Sequence, residues 1–290
     1  MTLNSLYFGP GPSILPESVR EAIKRSLWDD PDLPCSILEC SHQFPALKTR
    51  LLEVSDHFRR CLNIPEDFEV VFMPGGARLH YGLVACNILQ AAPSTAALIT
   101  GYWSDIAFQE QNRLCHGRVQ AFQLLPGDDN VPFDLSSYDF VHGVTNETVS
   151  GICIPEDRIS HPGLIMDMTS DLGYRLVDWS RYVLVYAGLQ KAFGLAGMSV
   201  VIIKRNLLSA CSSHLPTLQS YASIASSQSL GATPNIIKRT GVFDEVDKKY
   251  GIPEEERQSM DTSASVEGDD MGGAPPPPAG ATSSIEIEPS

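Results

Sequence analysis

Residues 182–197 read YVLVYAGLQKAFGLAG, and this stretch decides the fold. Residues 183–186 are apolar and largely β-branched, the signature of a strand buried on both faces of a parallel sheet, and a glycine-containing turn follows at once. Lys191 therefore falls just past the carboxyl end of that strand. In open α/β sheets ligands bind at this edge. A lysine held there by a small-residue turn has room for a planar cofactor and can form a Schiff base with it. Taken alone, the same pattern also describes an exposed surface lysine.

Further back, the apolar run at residues 163–166 ends in Asp167, at the end of a second strand of the same kind. A carboxylate in that position can pair with a protonated ring nitrogen and turn a pyridine ring into an electron sink. As an isolated residue it is equally a helix cap or turn former. Together with Lys191 it points to pyridoxal 5'-phosphate. The segment DMTSDLGYRLVDWSRYVLVYAGLQKAFGLAGMSVVIIKRNLL resembles, without a gap, the cofactor-lysine region of phosphoserine aminotransferases, which are class V, fold-type I enzymes. That resemblance implies an α/β fold: a fold-type I large domain, mostly parallel sheet with helices on both faces. It also implies that residues 198–204 form the antiparallel member of the sheet, and that Gln190 contacts the cofactor phosphate.

The other segments fit this frame. Residues 69–73 read as a buried strand running into PGGARLHYG. Paired glycines between strand and helix aim backbone N–H groups at an anion, although Gly-Gly is also common as a plain tight turn. The family's Gly-Gly-x-Arg motif falls on Gly75, Gly76, Ala77 and Arg78; by resemblance Gly76 and Ala77 hold the cofactor phosphate and Arg78 serves the substrate. Residues 97–101 form a strand that leads into GYWSDIAFQE, with Ser104 able to cap a helix. Trp103 sits where it can stack on a flat ring or simply pack under the helix; the family's GxW segment assigns it to the ring. The strand at residues 138–144 ends in TNETVSG, where Thr148 matches the threonine that bonds the cofactor's phenolic oxygen.

At the start, FGPGPSILP reads as an ordered arm without regular structure, similar to the family's GP-x-x-LP opening. Pro16 opens a helix with Val19, Ala22, Ile23, Ser26 and Leu27 on one face. SILECSHQF reads as a short strand-like piece leading to His42, and residues 46–62 as a helix packed through Leu47, Leu51, Val54, Phe58 and Cys61. Where the family has His-Arg for the substrate's acidic groups, this chain has His42 and Gln43. A neutral amide offers a weaker donor and no charge. In LPTLQSYASIASSQSLGATPN, Thr233 matches a threonine that reaches the partner subunit's cofactor phosphate, with Ala232 in place of asparagine.

The chain has 290 residues and a net charge of −14, which argues against a nucleic-acid surface. Nine acidic residues and one basic residue lie within 254–290, a Pro-, Ser- and Gly-rich tail expected to be disordered. The sequence holds no apolar run of 18 residues and no leader-like start, so no membrane segment and a cytoplasmic location are expected. The seven cysteines make no CxxC pair and no metal-spaced cluster, so no metal is expected, and they read as reduced, mostly buried thiols. The domains are then an arm at 1–15, a cofactor-binding large domain at 16–208, a remnant at 209–253 leading toward a missing small domain, and the tail at 254–290.

By resemblance the chain is a homodimeric transaminase that moves an amino group from glutamate to a phosphorylated 2-oxo acid, 3-phosphohydroxypyruvate, in serine biosynthesis. Two other readings stay open. Gln43 and the missing C-terminal arginines favour another class V activity, and the ending favours a non-catalytic or truncated protein of the same fold.

Overall fold

The computed structural model describes residues 9, 11–28, 30–41, 43–124, 133–154, 158–212 and 214–229. Seven strands form one sheet: β1 (Phe68–Pro74), β2 (Thr95–Ile99), β3 (Val119–Gln123), β4 (Phe140–Val144), β7 (Leu164–Asp167), β8 (Tyr182–Gly188) and β9 (Met198–Lys204). A two-residue pair, β5 (Asn146–Glu147) with β6 (Ile152–Cys153), stands apart. The order across the sheet is β1-β9-β8-β7-β4-β2-β3. β3, β2, β4, β7 and β8 pair parallel, and β9 runs antiparallel to both β8 and β1. The expected antiparallel strand is therefore in place.

Central strands buried on both faces read as continuous apolar runs, because helices cover each side. β8 and β9 show this directly: all but one residue of each is buried. On one face Val70, Phe72, Met166, Val185 and Ile202 pack with Leu51 and Phe58 of α2 (Pro45–Cys61). On the other, Val71, Ile165, Leu184, Tyr186 and Val201 pack with α3 (Ala77–Val84), its π-helical continuation Ala85–Leu89, and Tyr221 and Ile224 of the helix Tyr221–Ser226. α4 (Tyr102–Leu114) contributes Ala107 to the same face. α1 (Glu17–Trp28) buries only Val19 and Ser26 of its expected apolar face.

Two expectations need correction. SILECSHQF is not a strand over its described residues: Glu39 and Cys40 donate their N–H groups to the Ser36 carbonyl, which wraps the segment into a turn. Ile37, Cys40 and Leu47 form a small cluster of their own, and the buried positions Ser36, Ile37 and Cys40 do not alternate as a strand's would. Nor are the cysteines mostly buried: Cys40 and Cys115 are, Cys61, Cys86 and Cys211 are half-buried, and Cys35 and Cys153 are exposed. All seven are free thiols.

Because β1, β2, β4, β7 and β8 point the same way, the turns that follow them share one edge of the sheet. Every strand-end residue singled out in the sequence leaves the sheet there.

Candidate active site

Lys191 follows β8 in a turn and is half-buried. The N-terminal arm lies against it. Ser13 donates its N–H to the Gln190 carbonyl at 2.9 Å, and a Cβ on Gly11 would come within 2.8 Å of Lys191 Cδ and Cε. Gly11 has φ +120°, a conformation open to glycine, so both the backbone and the close approach require it. Burial lowers the proton affinity of the Lys191 amine, while the charge of Asp167 pulls the other way. An amine that gives up its proton more readily is present to a greater extent as the free amine, the form that acts as nucleophile and base.

Asp167 ends β7 and is buried. Its Oδ1 accepts from the Thr169 N–H at 2.9 Å and from Thr169 Oγ1 at 2.5 Å; Thr169 Oγ1 in turn accepts from the Gly188 N–H at 3.1 Å. Thr169 thus ties the carboxyl of β7 to the end of β8. Oδ2 accepts from the Tyr81 hydroxyl of α3 at 3.4 Å. Burial raises the Asp167 carboxyl to about 6, against the opposing effect of the Thr169 and Tyr81 hydrogen bonds.

At the end of β2, Trp103 lies in the first turn of α4 and its indole Nε1 donates to Thr148 Oγ1 at 3.0 Å. The start of α4 is held by Glu147, which is fully buried. Its carboxylate accepts from the N–H groups of Trp103 and Ser104, each at 2.8 Å, and from Ser104 Oγ at 2.6 Å. Ser104 Oγ also accepts from the Gly101 N–H at 3.0 Å, so Ser104 does not stand at the N-cap but bonds back to it from the third helical position. A side chain at Gly101 would collide with Glu147 at 2.9 Å, which accounts for the glycine.

At the end of β1, Gly75 has φ +102° and donates its N–H to the Gly197 carbonyl at 2.8 Å. Gly76 precedes the first residue of α3, Ala77, and a Cβ on Gly76 would meet nothing within 4 Å. Space is therefore open over the N-terminal turn of an eight-residue helix whose positive end faces it. Arg78 is exposed in the same turn. Gln190 Oε1 is buried with no hydrogen-bond partner among the described residues. A buried polar atom of this kind calls for a ligand or an ordered water.

Lys191, Asp167, Gln190, Gly76, Ala77, Trp103 and Thr148 thus all leave the one edge of the sheet. Gln43 is exposed in the turn before α2, with its N–H on Ser41 Oγ at 3.2 Å; among the described residues no hydrogen bond joins it to another site residue. His42, Thr233 and the tail lie outside the described residues. Tyr81 and Thr169 carry no signal in the sequence, because both look like ordinary helix and turn residues. Glu147 sits inside the quoted TNETVSG, but its partners are more than 40 positions away in sequence. The arrangement combines a depressed lysine amine, a buried carboxyl, an indole fixed by a threonine and an open helix N-terminus. It suits a flat, phosphorylated, ring-nitrogen cofactor.

The chain belongs to the class-V aminotransferase family, whose model matches residues 6–242. Within that class its similarity runs to phosphoserine aminotransferases. That of Bacillus cereus (strain ZK / E33L) is 33% identical over 236 residues, covering 78% of this chain, and that of Neisseria gonorrhoeae is 32% identical over 248 residues, covering 81%. The chain spans 65% of the length of the first and 67% of the second. A phosphoserine aminotransferase from Trichomonas vaginalis solved with PLP bound superposes with a TM-score of 0.75 at 27% identity, over 89% of this chain and 79% of that one. The enzyme from Bacillus circulans subsp. alkalophilus gives 0.73 at 28% identity, over 84% and 70%. The mostly parallel sheet with helices on both faces is the fold of these enzymes.

Proposed function

We propose that this chain binds pyridoxal 5'-phosphate through Lys191 and works as a phosphoserine aminotransferase, moving an amino group between glutamate and 3-phosphohydroxypyruvate in serine biosynthesis. The observation that carries the reading is that Lys191, in the turn after β8, and buried Asp167, at the end of the adjacent parallel strand β7, leave the same edge of the sheet, with the charge of Asp167 acting on the lysine's proton. The cofactor, when bound, supplies an electron sink that makes the proton on an amino acid's Cα labile. The protein's own residues do the rest. Lys191 holds the cofactor and then, as a free amine of lowered proton affinity, takes the Cα proton and returns it. Asp167 keeps the ring nitrogen charged, Trp103 covers the ring, and Thr148 bonds its hydroxyl. Gly76 and Ala77 with Gln190 hold the phosphate, joined by Thr233. His42, Gln43 and Arg78 are the substrate contacts.

The family resemblance supports a homodimer that shares these sites, a cytoplasmic location, and the division into arm (1–15), large domain (16–208), following segment (209–253) and tail (254–290). Among the described residues no helix is long and apolar enough to cross a membrane. A second reading, a class V enzyme of different specificity, draws on Gln43, which lacks the charge that an arginine brings to a doubly acidic substrate.

The test is titration of purified protein with pyridoxal 5'-phosphate, followed by borohydride and peptide mass spectrometry. A visible band with a reduced adduct on Lys191, absent in Lys191→Ala, is expected. Glutamate should then convert the band and yield 2-oxoglutarate. No adduct on Lys191 would overturn the cofactor assignment, and a band unchanged by glutamate would favour the second reading.

A further inference from the structure

Asp167 has two oxygens in different situations. Oδ1 is filled, accepting twice from Thr169. Oδ2 accepts, among the described residues, only the Tyr81 hydroxyl, at 3.4 Å. Tyr81 is itself buried and cannot exchange this acceptor for water. Its ring meets that of Tyr186 edge-on, with centroids 6.4 Å apart and planes at 65°, so the phenol is held by packing as well as by its hydroxyl. A hydroxyl on a buried carboxyl donates better to the ionised form and so favours it.

We propose that Tyr81 is a positioning residue for Asp167: its hydroxyl fixes the orientation of Oδ2 and favours the carboxylate, the form that pairs with a cationic ring nitrogen. This rests on the proposed cofactor for its purpose, though not for its physical test. Tyr81 from α3 and Thr169 from the loop after β7 bond to the carboxyl and favour its charge, the Asp171 carboxylate in the same loop opposes it, and the charge of Asp167 in turn reaches the Tyr186 phenol of β8 and the Lys191 amine of the turn after it. Of these, Tyr81 is a hydrogen-bond donor that can be removed with little change in volume. Phe in its place keeps the ring contact with Tyr186.

The experiment uses cofactor-free full-length protein labelled with carboxyl-13C aspartate, with Asp167→Asn identifying the Asp167 signal. Its titration is followed in wild type and Tyr81→Phe. The expected result is an upward shift of the midpoint by half a pH unit or more, with a larger shift in Thr169→Val, which removes one of the two donors on Oδ1. In parallel, Kd for pyridoxal 5'-phosphate is measured by tryptophan fluorescence, and Tyr81→Phe should weaken it about three- to tenfold. An unchanged midpoint in Tyr81→Phe, with the Thr169→Val shift present, overturns the proposal. So does a wild-type Kd in a variant whose midpoint has moved. If wild type fails to bind the cofactor at all, the cofactor assignment falls, while the carboxyl titration still decides whether Tyr81 acts on Asp167.

Discussion

At the scale of single residues, the site holds a group that weakens the fold it belongs to. Asp167 titrates at about 6 in the folded protein against 3.8 for an unperturbed carboxyl, because burial penalises its charge. The folded state thus binds the proton more tightly than the unfolded chain does. The stabilisation that protonation gives is complete below pH 3.8 and is lost as pH rises through 6. The difference corresponds to about 1–3 kcal/mol at neutral pH. Asparagine can keep Oδ1 on Thr169 and turn its amide toward the Tyr81 hydroxyl, without a charge. Asp167→Asn is therefore expected to stabilise the cofactor-free protein at pH 8, measured by urea unfolding, with the gain shrinking toward pH 4. The same variant should lose cofactor affinity. A destabilised Asp167→Asn at pH 8 would mean that the buried carboxylate is better compensated than its neighbours suggest. Lys191 and Asp167 were legible in the sequence because Asp167 ends one apolar run and Lys191 follows just past another, both at the same sheet edge. Tyr81 and Thr169 were not, since what makes them part of the site is an approach between elements that no local pattern encodes.

Among the elements, α4 depends on a residue outside itself. The first N–H groups of a helix have no partner within it, and here those of Trp103 and Ser104 end on the buried Glu147 carboxylate, whose negative charge also faces the helix's positive end. Removing it takes the acceptor from the buried Ser104 N–H and the half-buried Trp103 N–H. Glu147→Ala is expected to cost about 2–4 kcal/mol in chemical denaturation. Glu147→Gln should cost less, since one oxygen remains as an acceptor. Because the first turn of α4 also carries Trp103 toward Thr148, both variants should alter tryptophan emission and weaken cofactor binding. A Glu147→Ala protein as stable as wild type would show that water replaces the cap. Strand identity was readable where double burial writes long apolar runs; β3 (VQAFQ), at the edge of the sheet and buried only at Val119, has no such run and was not read from the sequence. The segment before α2 misled because Ile37 and Cys40 are apolar on a turn's spacing, and a short apolar run alone does not distinguish strand from turn.

For the molecule as a whole, two buried histidines set the response to acid. His80 bridges Tyr221 at 3.0 Å and Ser199 at 2.6 Å, and His142 meets the Tyr186 hydroxyl at 2.9 Å. His80 on α3 and His142 on β4 both sit between α3 and the sheet face it covers, and burial depresses each to about 3 from the ordinary 6.5. The folded state therefore binds these protons less tightly than the unfolded chain, so their contribution is fully present above pH 6.5 and is lost as pH falls toward 3. Asp167 works in the opposite direction between 3.8 and 6, but it is one group against two, and each histidine shift is the larger. The melting temperature of the cofactor-free protein should thus fall steadily as pH drops from 7 to 4.5. Replacing His142 by Gln keeps a polar contact available to Tyr186 but removes the proton site, so His142→Gln should flatten that fall even if it lowers the melting temperature at pH 7. A slope unchanged in both His142→Gln and His80→Gln would assign the acid sensitivity to surface carboxylates instead. None of this is visible in sequence, where His80 and His142 look like any other histidines. Their neutrality comes from strands and helices far apart in the chain closing over them, and that closure belongs to the fold as a whole.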